Sequence, residues 1–342
     1  MNIKSSVIDL DGIKNSEELC QKKCLEEKRV DKYSPLVTSE KYIIASFRKL
    51  KQEKSLFFNN KRLLIQTIFF NVFRSAAMVN ALALFIILFF MIANGWKAIS
   101  INFLIQAPTD MMTKGGIFPC IIGTLCLSIG AFLISFPIGV ASAIYLQEYA
   151  SDGALVRAIR LGINNLAGVP SVVFGLFGLS FFVVFLKMGV SILAGALTLA
   201  LMSLPVMIGA TEEALKSVPA TYREASLGLG ATKLQTIFRV VLPAAAPGIL
   251  TGGILGISRT AGETAPIMFT AAVFFSPNLP RSIFDEIMAL PYHIYVLATA
   301  GTEIEMTRPI QYGTSLVLIS LVLGMNFIAI LFRARLRKKM RR

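Results

Sequence analysis

Histidine occurs once in the 342 residues, tryptophan once and cysteine four times, and charged side chains make up only 16% of the chain. Each scarcity removes a class of function. No nucleophile–histidine–acid set can be built around the single histidine, His293. Cys20 and Cys24 lie four apart near the N-terminus, while Cys120 and Cys126 read as small apolar residues within a hydrophobic run. No metal set can be assembled from these cysteines and His293, so no metal and no cofactor are expected. No Gly-x-x-x-x-Gly-Lys-Ser/Thr occurs, which excludes a P-loop and an ATPase within this chain. The chain is not expected to be an enzyme by itself. A secretory signal is also missing, because Asp9 and Asp11 interrupt the early apolar residues and no long apolar run follows them.

What is abundant is apolar: 55% of residues are hydrophobic and the mean hydropathy is positive. A membrane span needs about 20 apolar residues; five windows of that kind stand between the charges, and a sixth, Val240 to Pro280, is broken only by Arg259 and Glu263. They predict an all-α integral membrane protein with helices at about 76–94, 117–146, 169–186, 190–211, 245–275 and 312–332. With the N-terminus inside, 28 of the 34 Lys and Arg fall on the inner side and five on the outer, with Arg259 left within the membrane. This bias predicts both termini in the cytoplasm. The net charge of +14 then reads as topology, and no soluble face gathers it for nucleic acid.

The organising stretch runs from Glu212 to Glu263. Residues 212–243 begin with a polar segment between two long apolar runs. PATYREASLGLG (Pro219 to Gly230) reads as a short helix ended by glycine. Leu234, Ile237, Phe238 and Val241 then recur at helical spacing, and Leu242-Pro243 is expected to close that second helix. Glu224-Ala225-Ser226, Gly230 and Val240-Val241-Leu242-Pro243 together resemble the EAA loop of ABC-importer permeases. Ser226 stands where that pattern has Ala, and Val240 where it has Ile. The next run, GISRTAGETAPIMFTA (Gly256 to Ala271), resembles the A-type permeases of phosphate-specific ABC importers. The resemblance covers residues 113–335.

That resemblance implies the ABC-importer permease fold and a role for Tyr222, Arg223, Glu224, Ala225, Ser226 and Gly230 in coupling to an ATPase. The partners it implies are a second, C-type permease subunit, a cytosolic ABC ATPase dimer and an external phosphate-binding protein, with inorganic phosphate as cargo. The domain reading follows it: a cytoplasmic N-terminal extension (1–72), a first span and outer loop (73–112), a permease core (113–335) and a basic tail (336–342). From Tyr42 to Phe58 the extension turns basic, with Ile43, Phe47 and Leu50 on one helical side. A membrane-surface helix and a partly disordered extension both fit it. The outer loop from Ser276 to Pro309 reads either as a seat for the binding protein or as a lid.

Two places carry the candidate chemistry. Gly168, Pro170, Gly175 and Gly178 weaken the third span as a plain helix. A discontinuous, pathway-lining helix is one reading, and a glycine-lined contact with a proline near its start is the preferred one. In the fifth span, a helical wheel puts Gly248, Gly252 and Gly256 on one narrow face together with Arg259 and Glu263. The glycines suit close helix packing. Arg259 lies twelve residues beyond Pro247, about 18 Å along a helix and so near the middle of a core about 30 Å thick. Charges at that depth are costly and tend to pair or to line a pathway. A structural ion pair remains open, but a substrate path through Arg259, Glu263, Thr260 and Thr264 is preferred, partly on the resemblance. A permease for sulfate or molybdate is the nearer alternative, and a secondary anion carrier the farther one.

Overall fold

The computed structural model describes residues 35–112, 114–151, 153–300 and 304–340. Expectations for residues 1–34, Cys20 and Cys24 included, lie outside the described residues. The chain divides into two units, Met1–Leu84 and Phe85–Arg342.

The first unit holds most of α1 (Pro35–Gly95), a single 61-residue helix that runs without a break through residue 72. Its apolar part, Ile65–Ala98, is long enough to cross a membrane, and its most apolar 18-residue stretch has no buried residue. Phe69, Phe73 and Phe85 all stand exposed, as lipid-facing side chains do.

In the second unit, the end of α1 meets the last helix: Phe90 packs edge-on to Tyr312 with ring centroids 5.7 Å apart. A short helix, α2 (Ile101–Ile105), leads to a two-strand hairpin of β1 (Pro108–Thr109) and β2 (Lys114–Gly115). The core follows as α3 (Phe118–Ile144, widened at its end into a π turn, Tyr145–Tyr149) and α4 (Ala154–Ala167). Next come α5 (Ser171–Gly178, continued by a π turn, Leu179–Phe185) and α6 (Ile192–Lys216), which opens on the Ser191 side chain accepting from the Ala194 N–H. The rest is α7 (Ala220–Gly228), α8 (Lys233–Thr236), α9 (Leu242–Ala261), α10 (Ala265–Thr270), α11 (Leu290–Thr299) and α12 (Ile304–Met340). The helices α3, α6, α9 and α12 pack against one another and hold the core together. Among the described residues, five helices are long and apolar enough to span, or six if α4 and α5 make one bent span.

Two expected elements differ in the structure, the fifth span and the closure at Leu242-Pro243, and a third gains a helix before it. The third span is helical over Ser171–Phe185, close to the expected 169–186 and with Pro170 at its start, but it is preceded by a helix not expected from the sequence: α4 and α5 meet at a bend of 102° across Gly168, Val169 and Pro170. A residue before proline is pushed out of the helical region, and Pro170 itself is extended at ψ 140°. Gly175 and Gly178 lie beyond the break and serve packing. A Cβ on Gly175 would come within 3.0 Å of the Ala265 carbonyl, and one on Gly178 within 2.2 Å of Thr198 Oγ1.

The fifth span does not run over 245–275. It stops at Ala261 and resumes as α10. Pro266 causes the stop, since its ring would clash with the Gly262 carbonyl four residues back in a continuous helix. Leu242-Pro243, in contrast, closes nothing. The helix runs unbroken from Lys233 to Ala261, and the π turn at Ile237–Val241 absorbs the hydrogen bond that Pro243 cannot donate.

Candidate functional site

The α9 glycines fix where the charged pair sits. A Cβ on Gly248 would lie 2.6 Å from the Ala214 Cβ, one on Gly252 2.7 Å from the Ala210 Cβ, and one on Gly256 3.0 Å from the Met207 sulfur. Each step of about four residues up α9 is matched by a step of about four back along α6. Arg259 therefore comes level with Ser203, the middle of α6. At 1.5 Å per residue that level is about 17 Å from Ile192 and about 14 Å from Glu212, where charged side chains begin. The pair lies halfway across the apolar layer.

The pair is also open on one side. Arg259 Nε stands 3.5 Å from Glu263 Oε1, and the two side chains remain 40% and 19% exposed. Glu263 occupies the break between α9 and α10, not a further turn of one helix. The helix end is tightened there, with the Gly262 N–H donating to the Arg259 carbonyl at 3.2 Å. Thr260 points elsewhere: it is 4% exposed, and its hydroxyl donates back to the Gly256 and Ile257 carbonyls. Thr264 is half-buried and precedes α10, its carbonyl accepting from the Met268 N–H. The structure thus groups Arg259 and Glu263 and separates Thr260 from them. A cation with an open face and a carboxylate partner is able to bind an oxyanion by charge-assisted hydrogen bonds.

The segment before α9 forms a second surface. In α7 the residues Tyr222, Glu224, Ala225 and Leu227 are exposed, as is Leu229 just after it, at 90%. Gly230 adopts φ +81° and ends α7, with the Ala231 N–H donating to the Ser226 carbonyl and the Gly230 N–H to the Leu227 carbonyl. Ser226 Oγ is 2.9 Å from Thr236 Oγ1, which ties α7 to α8. Arg223 turns inward instead. Its guanidinium donates to Glu148 at 2.7 Å and to the Val218 and Leu215 carbonyls at 2.8 and 2.9 Å.

Several partners were not found by reading the sequence. Glu148 is 75 positions from Arg223, so no spacing rule links them. Glu212 is nearly buried and faces Arg160 Nε at 3.9 Å and Lys216 Nζ at 3.6 Å. Ser258 Oγ donates to Asn326 Oδ1, and Arg333 donates to Thr251 Oγ1 at 2.8 Å, linking α9 to α12. One contact did carry a local signal. Thr232-x-x-Gln235 forms a capping box that opens α8. In the outer segment, the Arg281 and Ser282 N–H groups donate to Asp285 and hold its carboxyl below the usual range. His293, in α11, is buried with neither ring nitrogen hydrogen-bonded, and burial pushes its imidazole down to about 4. Among the described residues, no cluster of His, Cys, Asp or Glu is able to hold a metal ion.

Comparison with known proteins gives a consistent pattern. Residues 135–342 match the family model described as "Binding-protein-dependent transport system inner membrane component". A probable ABC transporter permease protein of Bacillus subtilis is 35% identical over 251 residues, covering 70% of this chain and 85% of the relative. The phosphate transport system permease protein PstA of Mycobacterium leprae is 40% identical over 220 residues, 64% of this chain and 71% of the relative. PstA 1 of Mycobacterium tuberculosis is 36% identical over 272 residues, 78% of this chain and 86% of the relative. Among solved structures, an inward-facing methionine ABC transporter aligns at TM-score 0.53 and 18% identity, covering 64% of this chain and 94% of that one. A bacterial alginate ABC transporter aligns at TM-score 0.51 and 16% identity, covering 74% and 92%. These two likenesses concern the fold. With a family model matching more than half of its residues and the spans to cross a membrane several times, this chain belongs to the binding-protein-dependent transport system inner membrane components.

Proposed function

We propose that this chain is the transmembrane permease subunit of an ATP-driven inorganic phosphate importer. The observation that carries the reading is Arg259, a cation in the last turn of a spanning helix and level with the middle of α6, paired with Glu263 and open on one side. The relatives named as phosphate transport permeases support the choice of phosphate. Arginine offers a planar fork of donors suited to phosphate oxygens. Glu263 holds that fork while the path is empty, and accepts a hydrogen bond from a protonated phosphate oxygen, which sulfate does not offer at neutral pH.

One chain is insufficient. Arg259 and Glu263 sum to zero charge, so a phosphate dianion needs further positive charge, and a second permease subunit supplies it. ATP hydrolysis resides in a separate cytosolic ATPase dimer, which docks on the exposed side of α7 through Tyr222, Glu224, Ala225 and Leu229. An external phosphate-binding protein delivers the anion to the outer segment, and both termini face the cytoplasm. Arg223 acts beneath that docking surface, anchoring α7 to the ends of α3 and α6. Alternating access then moves α7 with α8 and α9 as one lever, because the helix from Lys233 to Ala261 is continuous up to the charged pair. Uptake of phosphate by the reconstituted complex, with ATP and an ion gradient supplied separately and with arsenate, sulfate and molybdate as competitors, tests this reading. ATP-dependent uptake that sulfate and molybdate fail to inhibit is expected. Uptake driven by an ion gradient alone overturns it.

A further inference from the structure

Away from the charged pair, α3, α9 and α12 leave an open groove of about 420 Å³ between them. Leu125 and Phe132 line it from α3, Leu250 and Ile257 from α9, Met325 and Phe332 from α12, and no lining side chain is polar. Two hydrogen bonds fix its depth. Ser258 with Asn326 and Thr251 with Arg333 are each seven residues apart on both helices, so α9 and α12 run antiparallel in strict register. Arg333 is level with Thr251, and the glycine contacts set Thr251 level with Thr211 and Glu212 on α6. That is where the apolar layer ends.

From Leu250 to Ile257 the groove therefore extends about 10 Å inward from the boundary, at 1.5 Å per residue. This keeps it within one leaflet, whose hydrocarbon depth is about 15 Å. At its boundary end stands Arg333, directly after the lining residue Phe332. Its guanidinium is held by Thr251 and is half-buried, and among the described residues no carboxylate pairs with it. Arg335 and Lys338 stand exposed on the following turns. An apolar slot one leaflet deep, capped by a pinned cation, matches a molecule with a hydrocarbon tail and an anionic head.

We propose that this groove binds an anionic phospholipid, with one acyl chain between α3, α9 and α12 and its phosphate on Arg333. Basic pockets between spanning helices are suited to such head groups. An apolar helix of another chain would fill the slot but leave the Arg333 charge without a counter-ion. The site is distinct from that of the transported anion, since Arg333 is level with Thr251, about two helical turns and about 12 Å along α9 from Arg259, at the other end of the α9–α12 contact.

The test uses the full chain, reconstituted in vesicles of phosphatidylcholine with a minor share of phosphatidylglycerol and then extracted into mild detergent. Native mass spectrometry counts the retained lipids. The wild type should retain phosphatidylglycerol in preference to phosphatidylcholine. Arg333→Gln should lower that preference about fivefold, the usual effect of one cation near a membrane surface, and Arg333→Lys should preserve it. Ala329→Phe, which fills the slot, should reduce retention of both lipids. If Ala329→Phe fails to fold, the two Arg333 variants decide alone. Equal retention of the two lipids by the wild type overturns the proposal, as does an unchanged preference in Arg333→Gln. Intact lipid retention in Ala329→Phe with loss of assembly also overturns it, and assigns the groove to a second polypeptide.

Discussion

Arg223 illustrates how a side chain inside a segment proposed to dock a partner serves the fold. Its guanidinium makes a two-pronged contact with Glu148 and two bonds to helix-end carbonyls, and Glu148 is only 9% exposed. Removing one partner of such a pair leaves a nearly buried charge, at a cost of about 3 kcal/mol, moderated because Arg223 keeps some exposure. Arg223→Ala should therefore lower the thermal midpoint of the isolated chain in detergent, whereas Glu224→Lys, fully on the surface, should leave it unchanged. Equal midpoints for both variants would return Arg223 to the docking surface. His293 gives a pH-dependent case. The unfolded imidazole takes a proton near 6.5, whereas the buried one resists until about pH 4. The unfolded state thus binds more protons between these values, so stability is fully present above 6.5 and declines as pH falls toward 4. His293→Leu should flatten part of that decline in pH-dependent thermal unfolding, and an unchanged profile would contradict it.

Among the elements, α7 with its glycine stop shows most directly how local sequence sets a surface. Nothing lies within 4 Å of a Cβ placed on Gly230, so a substitution there meets strain and not a clash. At φ +81° an alanine should cost about 1–2 kcal/mol, and asparagine, which tolerates the left-handed region, less. Gly230→Ala should then weaken ATPase association more than Gly230→Asn, as read by pull-down of the assembled complex. Equal binding by both variants would remove the turn from the docking argument. This turn was legible in the sequence, because glycine after a short polar helix is a local signal. The Arg259–Glu263 pair was legible for a similar reason, since two charges inside a long apolar run stand out. Pro170 was placed correctly at the start of the third span, whereas the break before Pro266 and the helix α4 were missed. Around Pro266 the run from Val240 to Pro280 is apolar apart from Arg259 and Glu263 and so reads as one span, and only the structure shows that the chain turns there. The ties from Glu148, Asn326 and Arg333 were invisible for a different reason: their partners are 68 to 82 residues away, or 75 in the case of Glu148.

At the scale of the molecule, the parts form one line of action. In the proposed function, the exposed α7 face, the continuous helix from Lys233 to Ala261 and the charged pair at its far end would connect an ATPase dock to the substrate path. The small-residue contact with α6 lets that lever lie close to the core, and the break at Gly262 to Thr264 leaves Glu263 free of the helix it follows. In the proposed mechanism, phosphate meets Arg259 on its way through. The most direct measurement is ATP-driven phosphate uptake by reconstituted complexes verified as assembled, comparing the wild type with Arg259→Gln and Glu263→Gln. Losing charge-assisted hydrogen bonds should cut uptake at least about tenfold in Arg259→Gln, with ATPase association intact. Glu263→Gln should retain more activity and admit more sulfate, because the amide still accepts a hydrogen bond but no longer demands one. Near-normal phosphate uptake by assembled Arg259→Gln complexes would contradict the account and reduce the pair to a structural one.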